Sequence, residues 1–323
     1  MFRVLMVTAQ LPTSSNPASM IFVLRQVEAL RRAGIEVDVL EIEGPKAIKY
    51  PLSILRLRKS LASVDIVHAH YGYSGWVARC QRHKPVVISF IGSDLLGSRN
   101  TNGQKTLFGR MVVQLNRLFA RTTDAVIVQS PQMAQIVAPV KADIISNGVD
   151  IQFFQPCEQI SAKRELGWPQ YKRYILFPSS PNRPEKNYPL AKAVVAETAK
   201  QTWVPIELIP LWNVVPKQVS LYMNACDAML MTSFSEGSPN VVREAMACNL
   251  PVVSVPVGDV PELLSGVESC AIRPWQAEAL AEALVTVLKN QPRSNGRDSL
   301  LRKRLDLESV AMKIKGVYEE VLK

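Results

Sequence analysis

No apolar run in this chain approaches the roughly 18–20 residues that a membrane-crossing helix needs. The N-terminus, MFRVLMVTAQ, has no long apolar core and no small-residue cleavage site, so it reads as a strand rather than a signal peptide. Histidine is scarce, with three in 323 residues. The five cysteines, Cys80, Cys157, Cys226, Cys248 and Cys270, are odd in number, widely spaced and without C-x-x-C spacing. That excludes a disulfide framework and the usual metal knuckle, and they read as small buried hydrophobes of a reducing compartment. Internal repeats and low-complexity tracts are absent. So are zinc-finger, RRM and basic-helix signatures, which removes the common nucleic-acid modules.

What remains is ample material for a core. Hydrophobic residues make up 47% and charged residues 20%, a length and composition that suit two domains. The net charge of +10 favours an anionic partner: a nucleotide donor, an anionic lipid or a polysaccharide.

The chain is organised around Asp227–Leu264, DAMLMTSFSEGSPNVVREAMACNLPVVSVPVGDVPELL. Asp227–Met231 has the length of a strand, and Ser233–Asn240 is turn chemistry. Pro239 suits the first turn of the next helix, where its missing N–H has no intrahelical partner. Val241–Cys248 continues as that helix. Asn249 tolerates the left-handed conformation that ends it, and Val252–Val255 is a β-branched buried strand. Glu236 therefore lies in a loop at a strand's carboxyl end, and Glu244 one to two turns into the following helix. Ligands of open α/β sheets bind in the crevice beyond the strand ends, and a helix start offers free N–H groups to phosphate. Two carboxylates on that rim suit the hydroxyls of a sugar and a ribose; the plain alternative is a solvated turn acid and a helix surface acid.

Elsewhere the pattern is β-α-β. Phe2–Thr8, the Ile21–Ala33 helix and Ile35–Leu40 form a first unit that predicts a parallel sheet. Ser19, in the loop before that helix, can meet phosphate or acceptor. In the strand V-D-I-V-H-A-H, His68 and His70 point the same way. No third ligand follows at suitable spacing, so His70 reads as a polar contact at the strand end and His68 as structural. Asp94, after the strand Val86–Phe90, either caps a helix or touches substrate. Lys46–Leu61 interleaves basic and apolar residues with no acid, which fits an anionic membrane surface or a solvated helix face. Arg99–Lys105 is a polar loop. A second domain starts at Tyr174–Pro178, and its first loop, SSPNRPEKN, places Arg183 and Lys186 between strand and helix, where two cations can neutralise leaving-group charge.

The run E-G-S-P-N-V-V-R-E-A-M-A-C-N-L-P-V-V with G-D-V-P-E-L closely resembles the E-x7-E signature of the retaining GT-B glycosyltransferases of family 4. N-P-A-S-M-I-F-V-L-R-Q-V-E-A-L-R-R-A-G resembles the first unit of the polysaccharide-assembling members, with Met20 where they usually carry glycine. The family's strand-H-G-S-D has Ile91 in place of its histidine, so that residue does not carry over. N-G-V-D at 147–150 with Phe153 and Phe154 resembles the junction between domains.

The resemblance implies two doubly wound Rossmann-like α/β domains facing a central cleft. They would be an acceptor domain at 1–155 and a donor domain at 156–323, with the last helix crossing back. It implies Arg183, Lys186 and Glu236 in catalysis, and Glu244, Gly237, Ser238, Asn240, Val241 and Ser180 as donor contacts. His70, Asp94 and Ser19 fall on the acceptor side. A sugar would move from a nucleotide sugar, with retention, to a glycan or lipid-linked acceptor, with no metal and no further cofactor. The location implied is cytoplasmic, at the inner face of the membrane. Other readings are an inverting enzyme using Asp94 or His70 as base, a nucleotide-sugar 2-epimerase, and a catalytically degenerate sugar- or nucleotide-binding protein that needs a partner chain.

Overall fold

Alternation along one buried strand sets the plan of the first half of the molecule. The computed structural model describes residues 2–13, 19–45, 48–100, 103–212, 214–290 and 293–323. Ala18, Lys46 and residues 101–102 of the polar loop, all part of the sequence reading, lie outside these. In β1 (Arg3–Thr8), Val4 and Met6 face one way and Leu5 and Val7 the other, as a strand's period of two requires. The first face packs under the helices Ile21–Arg32 and Leu307–Val321, through Val23, Val27, Leu30, Val310 and Ile314. The second packs under Lys49–Ser60, Gly72–Ala78 and Leu107–Ala120, through Leu57, Val77 and Ala120. A sheet covered on both faces needs apolar residues at nearly every strand position. That is why β3 (Ile66–His70), β4 (Val86–Ser89) and β5 (Ala125–Val128) are buried almost throughout. With β2 (Glu36–Glu41) and β6 (Asp143–Ile144) they form a parallel sheet in the order β2-β1-β3-β4-β5-β6.

A second parallel sheet holds β7 (Arg173–Phe177), β8 (Ile206–Pro210), β9 (Ala228–Met231), β10 (Val252–Ser254) and β11 (Ala271–Ile272), in the order β11-β10-β9-β7-β8. By contact the chain divides into two units. One comprises Met1–Ser98, Lys105–Gly148 and Leu307–Lys323; the other comprises Arg99–Gln104 and Val149–Asp306. No helix among the described residues is long and apolar enough to cross a membrane.

Local differences from the sequence reading are small and have physical causes. Pro239 sits at the N-cap, outside the helix, which runs Asn240–Ala247. Asn249 takes the left-handed conformation at φ 54°, as its position after the helix requires. Cys80 and Cys157 are exposed, so the reading of all five cysteines as buried holds only for Cys226 and Cys248, with Cys270 half-buried. Leu57 of the Lys49–Ser60 helix and the adjacent Leu61 are buried in the core, and Arg56 pairs with Glu43 at 2.9 Å. Part of the apolar side of that basic stretch is thus used by folding, while Leu55 stays exposed.

Asp227, at the foot of β9, ties the second sheet to its surroundings. Its carboxylate accepts from the Tyr174 amide at 2.8 Å, Lys163 Nζ at 3.1 Å and Arg173 Nη1 at 3.2 Å. Lys163 is itself buried. Removing one member of a buried pair leaves the other's charge uncompensated. Asp227→Ala should therefore lower the urea-unfolding free energy of this unit by about 3–5 kcal/mol, with much of the loss restored by adding Lys163→Met.

Candidate active site

In the second sheet the order reverses between β7 and β9, its neighbours. Loops leaving the carboxyl ends of two such strands part around a crevice. The loop after β7 is 178–187; the loop after β9 is 232–239. They are stitched together at the rim. The Thr232 hydroxyl donates to the carbonyls of Lys186 and Asn187, each at 3.0 Å, and the Phe234 amide donates to the Glu185 carbonyl at 2.9 Å. Between the two loops, Lys186 Nζ meets Glu236 Oε1 at 2.6 Å, with both side chains about 15% exposed (14% and 15%). Arg183, more than half exposed, bonds Glu185 through Nε at 2.8 Å. Ser180 is buried, and its hydroxyl accepts from the Asn182 amide at 3.2 Å.

The 232–239 loop is shaped from below by a buried cation. Arg243, on the inward side of the Asn240–Ala247 helix, donates to the Ser238 hydroxyl at 2.6 Å, the Ser238 carbonyl at 3.1 Å and Asn240 Oδ1 at 3.2 Å. Asp259, from the loop after β10, lies 3.5 Å from it and accepts from the Ser238 hydroxyl. Burial pushes the Asp259 carboxyl up, against the pull of Arg243, and pushes the Arg243 guanidinium down. Arg243 Nε and Asp259 Oδ1 are buried with no hydrogen-bond partner among the described residues. Val241 and Glu244, both half-buried, stand three residues apart on this helix and so share a side of it. Gly258, at φ +57°, lies against the same loop, and a Cβ there would fall 2.5 Å from the Gly237 carbonyl oxygen.

In the first unit the strand order reverses between β1 and β3, whose carboxyl ends carry Ser19's loop and His70. Ser19 is half-buried in a turn. Met20 follows at φ 48°, a conformation glycine adopts without strain. His70 is buried; its Nε2 is 3.4 Å from Gln26 Nε2, its Nδ1 has no hydrogen-bond partner among the described residues, and burial lowers its pKa to about 4. His68 is held between Tyr318 Oη at 2.5 Å and Ser89 Oγ at 2.8 Å, and burial then His70 push it well below its usual value. Among the described residues no group of three His, Cys, Asp or Glu side chains could hold a metal. Asp94 is fully buried. Its carboxylate accepts from the amides of Gly92 at 2.9 Å, Leu95 at 3.1 Å, and Ile91 and Gly72 near 3.3 Å. Burial, opposed by those amides, brings its pKa up to about 6. Asp94 lies in the first turn of the helix Ser93–Leu96, whose N-cap is Gly92, and its carboxylate fixes the 91–95 backbone.

Residues 21–153 match the family model described as Glycosyltransferase Family 4, and residues 191–290 match Glycosyl transferases group 1. The chain is a family 4 glycosyltransferase. This glycosyltransferase is 24% identical to the putative teichuronic acid biosynthesis glycosyltransferase TuaC of Bacillus subtilis, over 87% of the chain and 88% of TuaC. It is 26% identical to D-inositol 3-phosphate glycosyltransferase of Segniliparus rotundus over 66% of the chain, but spans only 57% of that protein. Its fold is GT-B, like that of sucrose-phosphate synthase from Thermosynechococcus elongatus, with a TM-score of 0.75, 19% identity and 99% of each chain covered. Anabaena HepE, solved in complex with UDP-glucose, matches with a TM-score of 0.71 and 14% identity over 99% of this chain and 100% of that one.

The sequence reading left Arg243 and Asp259 of this glycosyltransferase unassigned, although both lie inside the motif it quoted. The signal was a charged residue at a helix position whose neighbours, Val242 and Ala245, had to be core. The Gly258 contact gives a direct check. Gly258→Ala should move the Glu236–Ser238 backbone and cut turnover at least tenfold. Gly266→Ala, at φ +72° with nothing within 4 Å of its Cβ, should cost about 1–2 kcal/mol of stability and leave turnover unchanged.

Proposed function

We propose that the chain moves a sugar from a nucleotide-sugar donor, with retention, to a glycan or lipid-linked acceptor in cell-envelope glycoconjugate synthesis. The observation that carries this reading is the 2.6 Å contact of Lys186 with Glu236 on the rim where β7 and β9 part. A cation and a carboxylate at one point suit a ligand with a phosphate next to a hydroxyl-bearing ring. In this reading Glu236 accepts hydrogen bonds from the transferred sugar. Lys186 and Arg183 take the charge that grows on the departing diphosphate. Glu244 holds the ribose, and the Gly237, Ser238, Asn240 and Val241 amides and Ser180 line the phosphate side.

The bond from the anomeric carbon to the diphosphate oxygen breaks while the acceptor oxygen bonds the same carbon on the same face. The acceptor's proton passes to the diphosphate, so no protein nucleophile is needed. Two side-chain cations facing the diphosphate favour a reaction without a metal. The first unit would supply acceptor contacts at Ser19, His70 and the backbone that Asp94 fixes. HepE's complex with UDP-glucose supports a nucleotide-sugar donor, and TuaC's role in teichuronic acid biosynthesis supports an envelope acceptor. Such acceptors, and the net charge of +10, favour work at the inner face of the membrane.

Thermal shift tests the donor assignment. A ligand that binds only the folded state must raise the melting temperature. One of the UDP, GDP or ADP sugars should raise it by several degrees in wild type and not in Lys186→Ala or Glu244→Ala. No shift with any donor would favour the degenerate binding protein. Retention is read from the anomeric configuration of the product by NMR, and an inverted product would overturn it.

A further inference from the structure

The helix Leu107–Ala120 carries a feature that glycosyl transfer does not use. Leu107, Phe108, Met111, Leu115 and Leu118 are all exposed, Leu107 at 84%. At about 100° per residue they fall within an arc of about 100° along one side of the helix. The orientation is fixed. Gly109, Val112, Val113, Asn116 and Ala120 are buried on the opposite side. Asn116 donates to the Asp94 carbonyl at 2.9 Å, and a Cβ on Gly109 would lie 2.6 Å from the Ser98 amide nitrogen. Thr106 caps the start by accepting from the Gly109 amide at 3.0 Å. The apolar stripe is therefore held outward by packing beneath it.

Arg110, Arg117 and Arg121 follow one another at roughly helical spacing along one flank of the stripe, and from Lys105 to Arg121 there is no acidic residue. An apolar stripe with a basic flank, on a helix too short to span a bilayer, is the pattern of a helix that lies in a membrane interface. We propose that the Leu107–Ala120 helix docks the enzyme on a bilayer of anionic lipid, with its apolar stripe among the acyl chains and its arginines at the headgroups.

The flank argues against a second copy of the chain as occupant. A two-fold interface through this stripe would set arginines against arginines with no acid to meet them. The Lys49–Ser60 helix is the weaker candidate, because Leu57 is buried in the core and Arg56 is paired with Glu43. The proposal draws its biological purpose from the reading of a membrane-side acceptor, but docking and the folding control, the melting temperature of the free protein, are measured without donor, acceptor or turnover, so either can fail alone.

The test is flotation of the full chain with phosphatidylcholine vesicles containing 30% phosphatidylglycerol, and with phosphatidylcholine alone. Wild type should float with the anionic vesicles, at least tenfold more than with the neutral ones, and less as salt is raised. Phe108→Ser/Met111→Ser/Leu118→Ser should lose flotation by at least tenfold while keeping the cooperative thermal unfolding and melting temperature of wild type to within a few degrees, which excludes misfolding. Arg56→Gln/Arg58→Gln/Lys59→Gln should float like wild type. Phe108→Trp should show an emission blue-shift on adding anionic vesicles. Wild type that stays unbound to anionic vesicles would overturn the proposal. So would a serine triple variant that floats unchanged, or a wild-type dimer that the triple variant converts to monomer while neither floats.

Discussion

Parallel strands impose right-handed crossovers, and in the second sheet those crossovers run both ways from β7: to β8 on one side, then back to β9 on the other. The loops leaving β7 and β9 cannot lie over a common neighbour, so they separate. Everything charged in the candidate site hangs on that separation. Lys186 and Glu236 are 50 residues apart in sequence and 2.6 Å apart in space because adjacent strands deliver them to one edge. Thr232 then locks the two loops together through backbone carbonyls, so the pair meets on a frame rather than by side-chain reach. The buried Arg243 works from underneath: its three hydrogen bonds to Ser238 and Asn240 give the loop after β9 a fixed floor.

Much of this was legible in the sequence, since strand ends announce themselves through turn chemistry. Glu236 and Lys186 follow apolar runs of strand length, and both were placed at strand ends from that alone. The left-handed Asn249 and the paired β-α-β units were read in the same way. What was hidden depended on which strands are neighbours, which local pattern does not encode. The direct ion pair, the tie from Thr232 and the pairing of Arg243 with Asp259 all cross between separate β-α units. Asp94 shows a subtler limit. Its position after a strand suits a cap and a substrate contact equally, and the four backbone amides that converge on its carboxylate could not be read from that position.

The first unit departs from its relatives in ways that have a backbone meaning. Met20 holds a left-handed conformation at φ 48°, which costs a residue with a side chain some strain. Gly92 sits at φ 152° with nothing within 4 Å of where a Cβ would stand, directly after the Ile91 that replaces the family's histidine.

The chain returns to where it began: after the second unit closes at Asp306, residues 307–323 join the first. There Val310 and Ile314 cover the face of β1 that Val4 and Met6 present, and Tyr318 seats on His68. A helix made after the whole of the second unit thus completes the cover of the first unit's sheet. Until it emerges, that face of β1 has only the Ile21–Arg32 helix to cover it, and His68 lacks its Tyr318 partner. The second unit has no such debt to the C-terminus, because its sheet and core lie wholly within 149–306. Folding order on the ribosome should then run against chain order, with the inserted unit settling while the unit that surrounds it waits.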